Sequence, residues 1–192
     1  MVKEMSQKLT AQIVRNNVVD AAKAPIYAYG IELLLSTLAG ILALVTISLF
    51  LRVPFLWIPY LTGFIPIRLL GGGYHAQTHR SCITAFSFLY TASLVAEKAH
   101  IISSSFLLFS CASNIIIMFL FAPVVPPNKP LTAKRRMANR CFCLLLGVLN
   151  LGLGILCSFV HWRNHWLMMY FAGSGMAGFS ILLSVVNKDK KG

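Results

Sequence analysis

The sequence predicts an all-α polytopic membrane protein with about six transmembrane helices and an N-terminal amphipathic helix lying in the interface. Three observations carry this expectation. Of the 192 residues, 57% are hydrophobic and only 11% charged, where soluble domains run at roughly 45–50% and 25%; mean hydropathy is +0.74. The apolar residues gather into six runs, most of them near the ~20 residues a helix needs to cross a hydrocarbon core. The charges between the runs are lopsided, with 17 Lys and Arg against 5 Asp and Glu and a net charge of +12. Such a balance suits loops facing anionic membrane lipid and would also attract an acidic substrate. Nucleic acid is not an expected partner.

In residues 1–29, Met5, Leu9 and Ile13 recur every fourth position while Lys3, Lys8 and Arg15 fall elsewhere on the wheel, the pattern of an interfacial amphipathic helix. The apolar run that follows is of spanning length and lacks a small-residue cleavage site, so it is expected to be retained as the first span. An integral domain is expected over residues 30–187, with spans at 31–51, 53–70, 82–96, 101–125, 141–162 and 166–186, then a basic tail at 188–192. The second span carries Pro54, Pro59 and Pro66, and the third is short. Broken or short helices survive at membrane depth only where protein or a water-filled cavity satisfies the freed backbone groups, so a polar pocket is expected between these two.

Lys and Arg counted over the loops of this arrangement split 14 to 3, with only Arg52, Lys98 and Arg163 on the sparse side. By the positive-inside rule, both termini and the loop between spans two and three are expected to be cytoplasmic.

That loop holds "LLGGGYHAQTHRSC", residues 69–82, an unusual run for so apolar a chain. Gly71, Gly72 and Gly73 permit positive φ and close backbone approach, as in a substrate-binding turn or a plain helix-to-helix turn. His75 and Cys82 stand seven residues apart, about 10 Å along a straight helix, so a direct nucleophile–base pair requires the chain to bend. The alternative is a buried thiol with an unrelated surface histidine. His75, His79 and Cys82 also suit a zinc hydrolase, but Ala76 follows His75, so the general-base glutamate of H-E-x-x-H is missing. The other cysteines, Cys111, Cys141, Cys143 and Cys157, read as packing residues rather than a disulfide framework.

"RLLGGGYHAQTHRSC", with Arg68, Gly73, His75 and Cys82, resembles the signature of the accessory gene regulator B (AgrB) proteins, membrane endopeptidases of peptide quorum sensing. "FAPVVPPNKPL" looks like that family's proline-rich loop, with Ala122, Pro123, Asn128, Lys129 and Pro130 matching. Val125 departs from it, standing where an acidic residue is expected. The resemblance implies a cell-membrane cysteine endopeptidase with Cys82 as nucleophile and His75 as base. Its substrate would be an AgrD-like precursor peptide, trimmed of an acidic C-terminal tail and cyclised to a thiolactone or lactone. It further implies a substrate-binding or structural role for Arg68 and Gly73, and a possible homodimer. Lys129, Arg135 and Arg136 fall in a basic run suited to the acidic tail or to anionic lipid. Glu32 and Gln77 are candidate orienters of the histidine. No cofactor and no metal is expected.

The rival reading is a non-enzymatic small transporter or structural subunit in which the glycines form a hinge or re-entrant turn. Sparse intramembrane acids, Glu32 and Glu97 alone, argue against ion coupling.

Overall fold

The computed structural model describes residues 2–16, 19–73, 79–99, 101, 103–124, 132–160 and 164–189. These residues form seven α-helices: α1 (Val2–Arg15), α2 (Ala24–Phe50), α3 (Trp57–Gly71), α4 (His79–Lys98), α5 (Ser104–Phe121), α6 (Ala133–Phe159) and α7 (His165–Asp189), with one 3-10 turn at Ala21–Lys23. No strand occurs among them. The all-α membrane class is therefore the observed one. Three helical stretches, Ala21–Phe50, Ala133–Phe159 and His165–Val186, are long and apolar enough to cross a bilayer, and Leu107–Phe121 is apolar but shorter.

Helices α2 to α7 coincide with the six apolar runs, but several begin earlier than composition suggests. Pro25 in the first turn lets α2 start at Ala24, since a missing N–H costs nothing there. Thr132 caps α6, its side chain accepting from Arg135 N at 3.4 Å, which draws Lys134, Arg135, Arg136 and Arg140 into helix. In α3, Pro59 falls in the first turn and only Pro66 is interior; at 15 residues α3 is about 22 Å long, short of the ~30 Å core.

Helix α7 is the central element, contributing to all three apolar clusters. Met169 joins Leu44, Tyr60, Tyr90 and Leu94 from α2, α3 and α4. Ala177 and Ile181 join Ile67, Met118 and Cys143 from α3, α5 and α6. Met168 and Phe171 join Leu107 and Cys111 from α5. In lipid, helix association depends on van der Waals packing and interhelical hydrogen bonds, so small residues mark the close crossings. The α3–α7 crossing is such a case. A Cβ at Gly63 would collide with the Tyr170 carbonyl, and one at Gly173 with the Tyr60 carbonyl. Polar residues tie other helix pairs: Asn114 Nδ2 donates to Ser174 O at 2.7 Å, and the Ser48 and Tyr90 hydroxyls lie 2.5 Å apart.

The outer surface is apolar, with Leu34, Leu38 and Leu42 of α2 and Leu145, Leu149 and Leu156 of α6 all exposed, as a lipid-facing surface requires. Helix α1 packs on α2. It buries Ser6 and Thr10, whose hydroxyls donate to Lys3 O and Ser6 O at 2.8 Å, and leaves Met5 and Leu9 of its apolar stripe exposed. Two of the three stripe residues read from the sequence thus face outward, with Ile13 half-buried, while the small hydroxyl face is covered.

The two ends of the bundle differ. At one, Lys98 Nζ donates to Leu51 O at 2.7 Å, buried Glu97 pairs with His165, and Asn164 Oδ1 accepts from Trp166 N. At the other lie the end of α3 and the starts of α4 and α6. Replacing Gly173 by alanine should lower the melting temperature of the detergent-solubilised protein, reflecting roughly 1–3 kcal/mol of overpacking. Gly30→Ala, where a Cβ meets open space, should leave it unchanged or higher. Thermal unfolding read by near-UV circular dichroism or tryptophan fluorescence checks this; equal melting temperatures would contradict the crossing.

Candidate active site at the glycine turn

The three consecutive glycines are each required for a different reason. Gly71 ends α3 against its neighbours: a Cβ there would sit 2.8 Å from Ile181 Cδ1 and 3.2 Å from Cys143 Sγ. Gly72 adopts φ 72°, ψ −144° and donates its N–H to Arg68 O at 3.2 Å. It forms an isolated parallel bridge with Val124, in which Val124 N–H donates to Gly71 O at 2.9 Å. A side chain at Gly72 would run into the Val124 carbonyl. Gly73 has φ 132°, is buried, and leaves the space that a Cβ would take to the guanidinium of Arg68. Both positive φ values fall where L-residues are strained.

The bridge joins the two segments that carry the family-like motifs, one after α3 and one after α5. Their contact was not readable from sequence, because 51 residues or so of chain separate them, but it follows from backbone satisfaction. A carbonyl at the end of α3 has no intrahelical donor, and Val124 supplies one.

Arg68 occupies the last turn of α3 and is half-buried. Its Nη1 donates to Gly72 O at 3.3 Å and to Ser180 Oγ at 3.1 Å, and the Ser180 hydroxyl donates onward to Ala177 O at 2.8 Å. A Cys82 thiolate would lie within Coulombic reach of the Arg68 guanidinium. Cys82 is the fourth residue of α4 and is exposed. The structure thus brings Arg68, Gly73 and Cys82 to one end of the bundle and adds Ser180, which lies 112 residues from Arg68 in an apolar helix. No local sequence signal singles Ser180 out.

Helix α6 begins at the same end. Its Arg140 donates Nη2 to Phe119 O at 3.2 Å and stands 5.9 Å from the Phe119 ring centroid. Lys134, Arg135 and Arg136 in its first turn are exposed. His75 and Gln77 lie outside the described residues, as does Lys129. The three-ligand zinc alternative therefore rests on a residue that is not described; His79 and Cys82 fall one turn apart at the start of α4. Glu97 cannot orient a histidine near Cys82, because fifteen helical residues put it about 22 Å further along α4. Glu32 sits in α2 with an interaction of its own.

Among the remaining cysteines, Cys111, Cys143 and Cys157 are buried, as packing residues should be, but Cys141 is exposed. The correction has a helical cause. The buried face of α6 runs through Cys143, Gly147, Asn150, Gly154 and Cys157, and Cys141, two residues before it, projects from the other side.

The family model described as Accessory gene regulator B matches residues 6–186, nearly the whole chain. Comparison with curated proteins and with solved structures gives no match.

Site-resolved alkylation with a small neutral reagent checks the burial pattern. In the folded, detergent-solubilised protein, Cys82 and Cys141 should react, while Cys111, Cys143 and Cys157 should react only after unfolding. Rapid labelling of Cys143 in the folded state would mean that the end of α3 is not packed as described.

Proposed function

The chain belongs to the accessory gene regulator B family, whose members process an AgrD-type precursor peptide to the autoinducer of a quorum-sensing system, and we propose that it does so as a cysteine endopeptidase and cyclase. The observation that carries this reading is an exposed Cys82 at the start of α4, at the end of the bundle where α3 closes in the glycine turn that clasps Arg68.

In the proposed first step the Cys82 thiolate attacks a precursor carbonyl carbon. The peptide C–N bond breaks, His75 gives a proton to the departing amine, and the acidic C-terminal tail leaves. The precursor remains bound through a thioester to Cys82. In the second step a precursor thiol, or a hydroxyl in a lactone-forming case, gives its proton to His75 and attacks the thioester. The bond to Cys82 breaks, the thiolate is regenerated, and a macrocycle is released. Exchange of one thioester for another is nearly energy-neutral, so cyclisation prevails only where water is kept from the acyl-enzyme. A site at the edge of an apolar bundle serves that need.

Arg68 is assigned to the developing oxyanion or to a carboxylate of the tail, both of which a guanidinium binds well. Arg135 and Arg136 in the exposed first turn of α6, with Lys129 before them, are assigned to the acidic tail. Six passes through the cell membrane, with both termini and Cys82 on the cytoplasmic side, complete the proposal; a precursor made in the cytoplasm then meets the site directly.

Cys82→Ala should abolish precursor cleavage while the protein still inserts, and alanine at Cys111, Cys141, Cys143 or Cys157 should leave most of it. An alkylating agent should inhibit and a chelator should not. Cleavage by the Cys82 variant would remove the nucleophile assignment, and loss of activity on chelation that zinc restores would favour the hydrolase with His75, His79 and Cys82 as ligands.

For topology, cysteine probes at Arg80 and Arg136 should label with an impermeant reagent only once the inner face is opened. Probes at Arg52 and Arg163 should label from outside intact cells. Labelling of Arg80 and Arg136 from opposite sides would contradict six passes.

A further inference from the structure

We propose that Ser180 of α7 is a positioning residue of the acyl-transfer site: its hydroxyl holds one edge of the Arg68 guanidinium, so that the cation is fixed across the glycine turn on the side of Cys82. The inference rests on the proposed role of Cys82, but its test needs no precursor.

The geometry constrains Arg68 on several sides. Ser180 Oγ accepts from Nη1 at 3.1 Å and Gly72 O accepts from the same nitrogen at 3.3 Å. Ser180 has a fixed orientation because its own proton goes to Ala177 O at 2.8 Å, which leaves an oxygen lone pair directed at the arginine. Gly73 supplies the space: a Cβ on it would overlap Nη1 and come within 2.6 Å of Ser180 Oγ. A long side chain with several rotatable bonds is thereby held in one place, which is what a group stabilising charge in a transition state must be. Two consequences follow. The central helix α7 is part of the reactive site rather than only its scaffold, and Gly73 matters because it vacates the position of the guanidinium as well as for its positive φ.

The test compares two reagents that differ in charge, iodoacetate and iodoacetamide, at Cys82. The full chain carries Cys141→Ala so that no second exposed thiol competes, and modification of Cys82 is followed by peptide mass spectrometry. A cation held near the thiol favours the anionic reagent, so the iodoacetate-to-iodoacetamide rate ratio reports its position. Arg68→Gln should lower that ratio by roughly threefold, the size expected of one partly screened charge nearby. Ser180→Ala should lower it in the same direction, by roughly twofold or more, and Gly73→Ala, which crowds the guanidinium off Ser180, should do so independently. Ser174→Ala, buried on the same helix beside Asn114, should leave it unchanged. A purely structural role for Ser180 would alter both rates together and keep the ratio. An unchanged ratio in both Ser180→Ala and Gly73→Ala, or in Arg68→Gln, overturns the proposal. A lowered ratio in a protein that never cleaves precursor would leave the positioning intact and count against the peptidase reading alone.

Discussion

The hydrogen bond from Val124 N–H to Gly71 O is the constraint on which the arrangement of this end of the bundle depends. It gives the carbonyl of Gly71, the last residue of α3, a donor, in a region where an unpaired backbone group is costly. It also forces Gly72 and Gly73 into positive φ, since the chain must pass beside Val124 and then turn under Arg68. From that turn follow the position of the guanidinium and its contact with α7. The start of α4, and with it Cys82, comes next along the chain.

The bundle supports this turn through close helix approach. Gly63 and Gly173 bring α3 and α7 together at backbone distance, and Gly71 seats the end of α3 on Ile181 and Cys143. A rigid α3–α7 pair makes the Arg68–Ser180 contact a property of the scaffold and not of a loop. The cysteines divide into a buried set, Cys111, Cys143 and Cys157, and an exposed pair, Cys82 and Cys141. Cys143, against Gly71, fills space, while Cys82, itself exposed in the first turn of α4, is the thiol proposed to react. The Glu97–His165 pair and Lys98 close the opposite end and take no part in the site.

Much of the architecture was legible in the sequence because a bilayer imposes it. Long apolar runs become helices whatever their details, so the six helical segments were foreseen. Their starts were not, since caps such as Thr132 extend a helix into polar sequence where hydropathy stops reporting. The glycines, histidines and Cys82 of residues 69–82 were visible as a cluster out of character with its surroundings, while Arg68 entered through the family resemblance. Ser180 was not, because a serine in an apolar helix usually bonds its own backbone, and only the tertiary crossing of α3 and α7 gives it a second partner. Cys141 was misread as a packing residue because composition alone does not say which side of α6 faces the bundle. The partnership of His75 with Cys82 rests on sequence, as residues 74–78 lie outside those described.

The central claim is that Cys82 carries the precursor as a thioester between tail release and ring closure. Its most direct measurement is the intact mass of the protein after brief incubation with a precursor whose cyclising cysteine is replaced by alanine, so that the second step is blocked. The account predicts an adduct equal to the precursor without its C-terminal tail, located on Cys82 and released by neutral hydroxylamine. Tail release with no adduct under these conditions, or an adduct on any other residue, would contradict it.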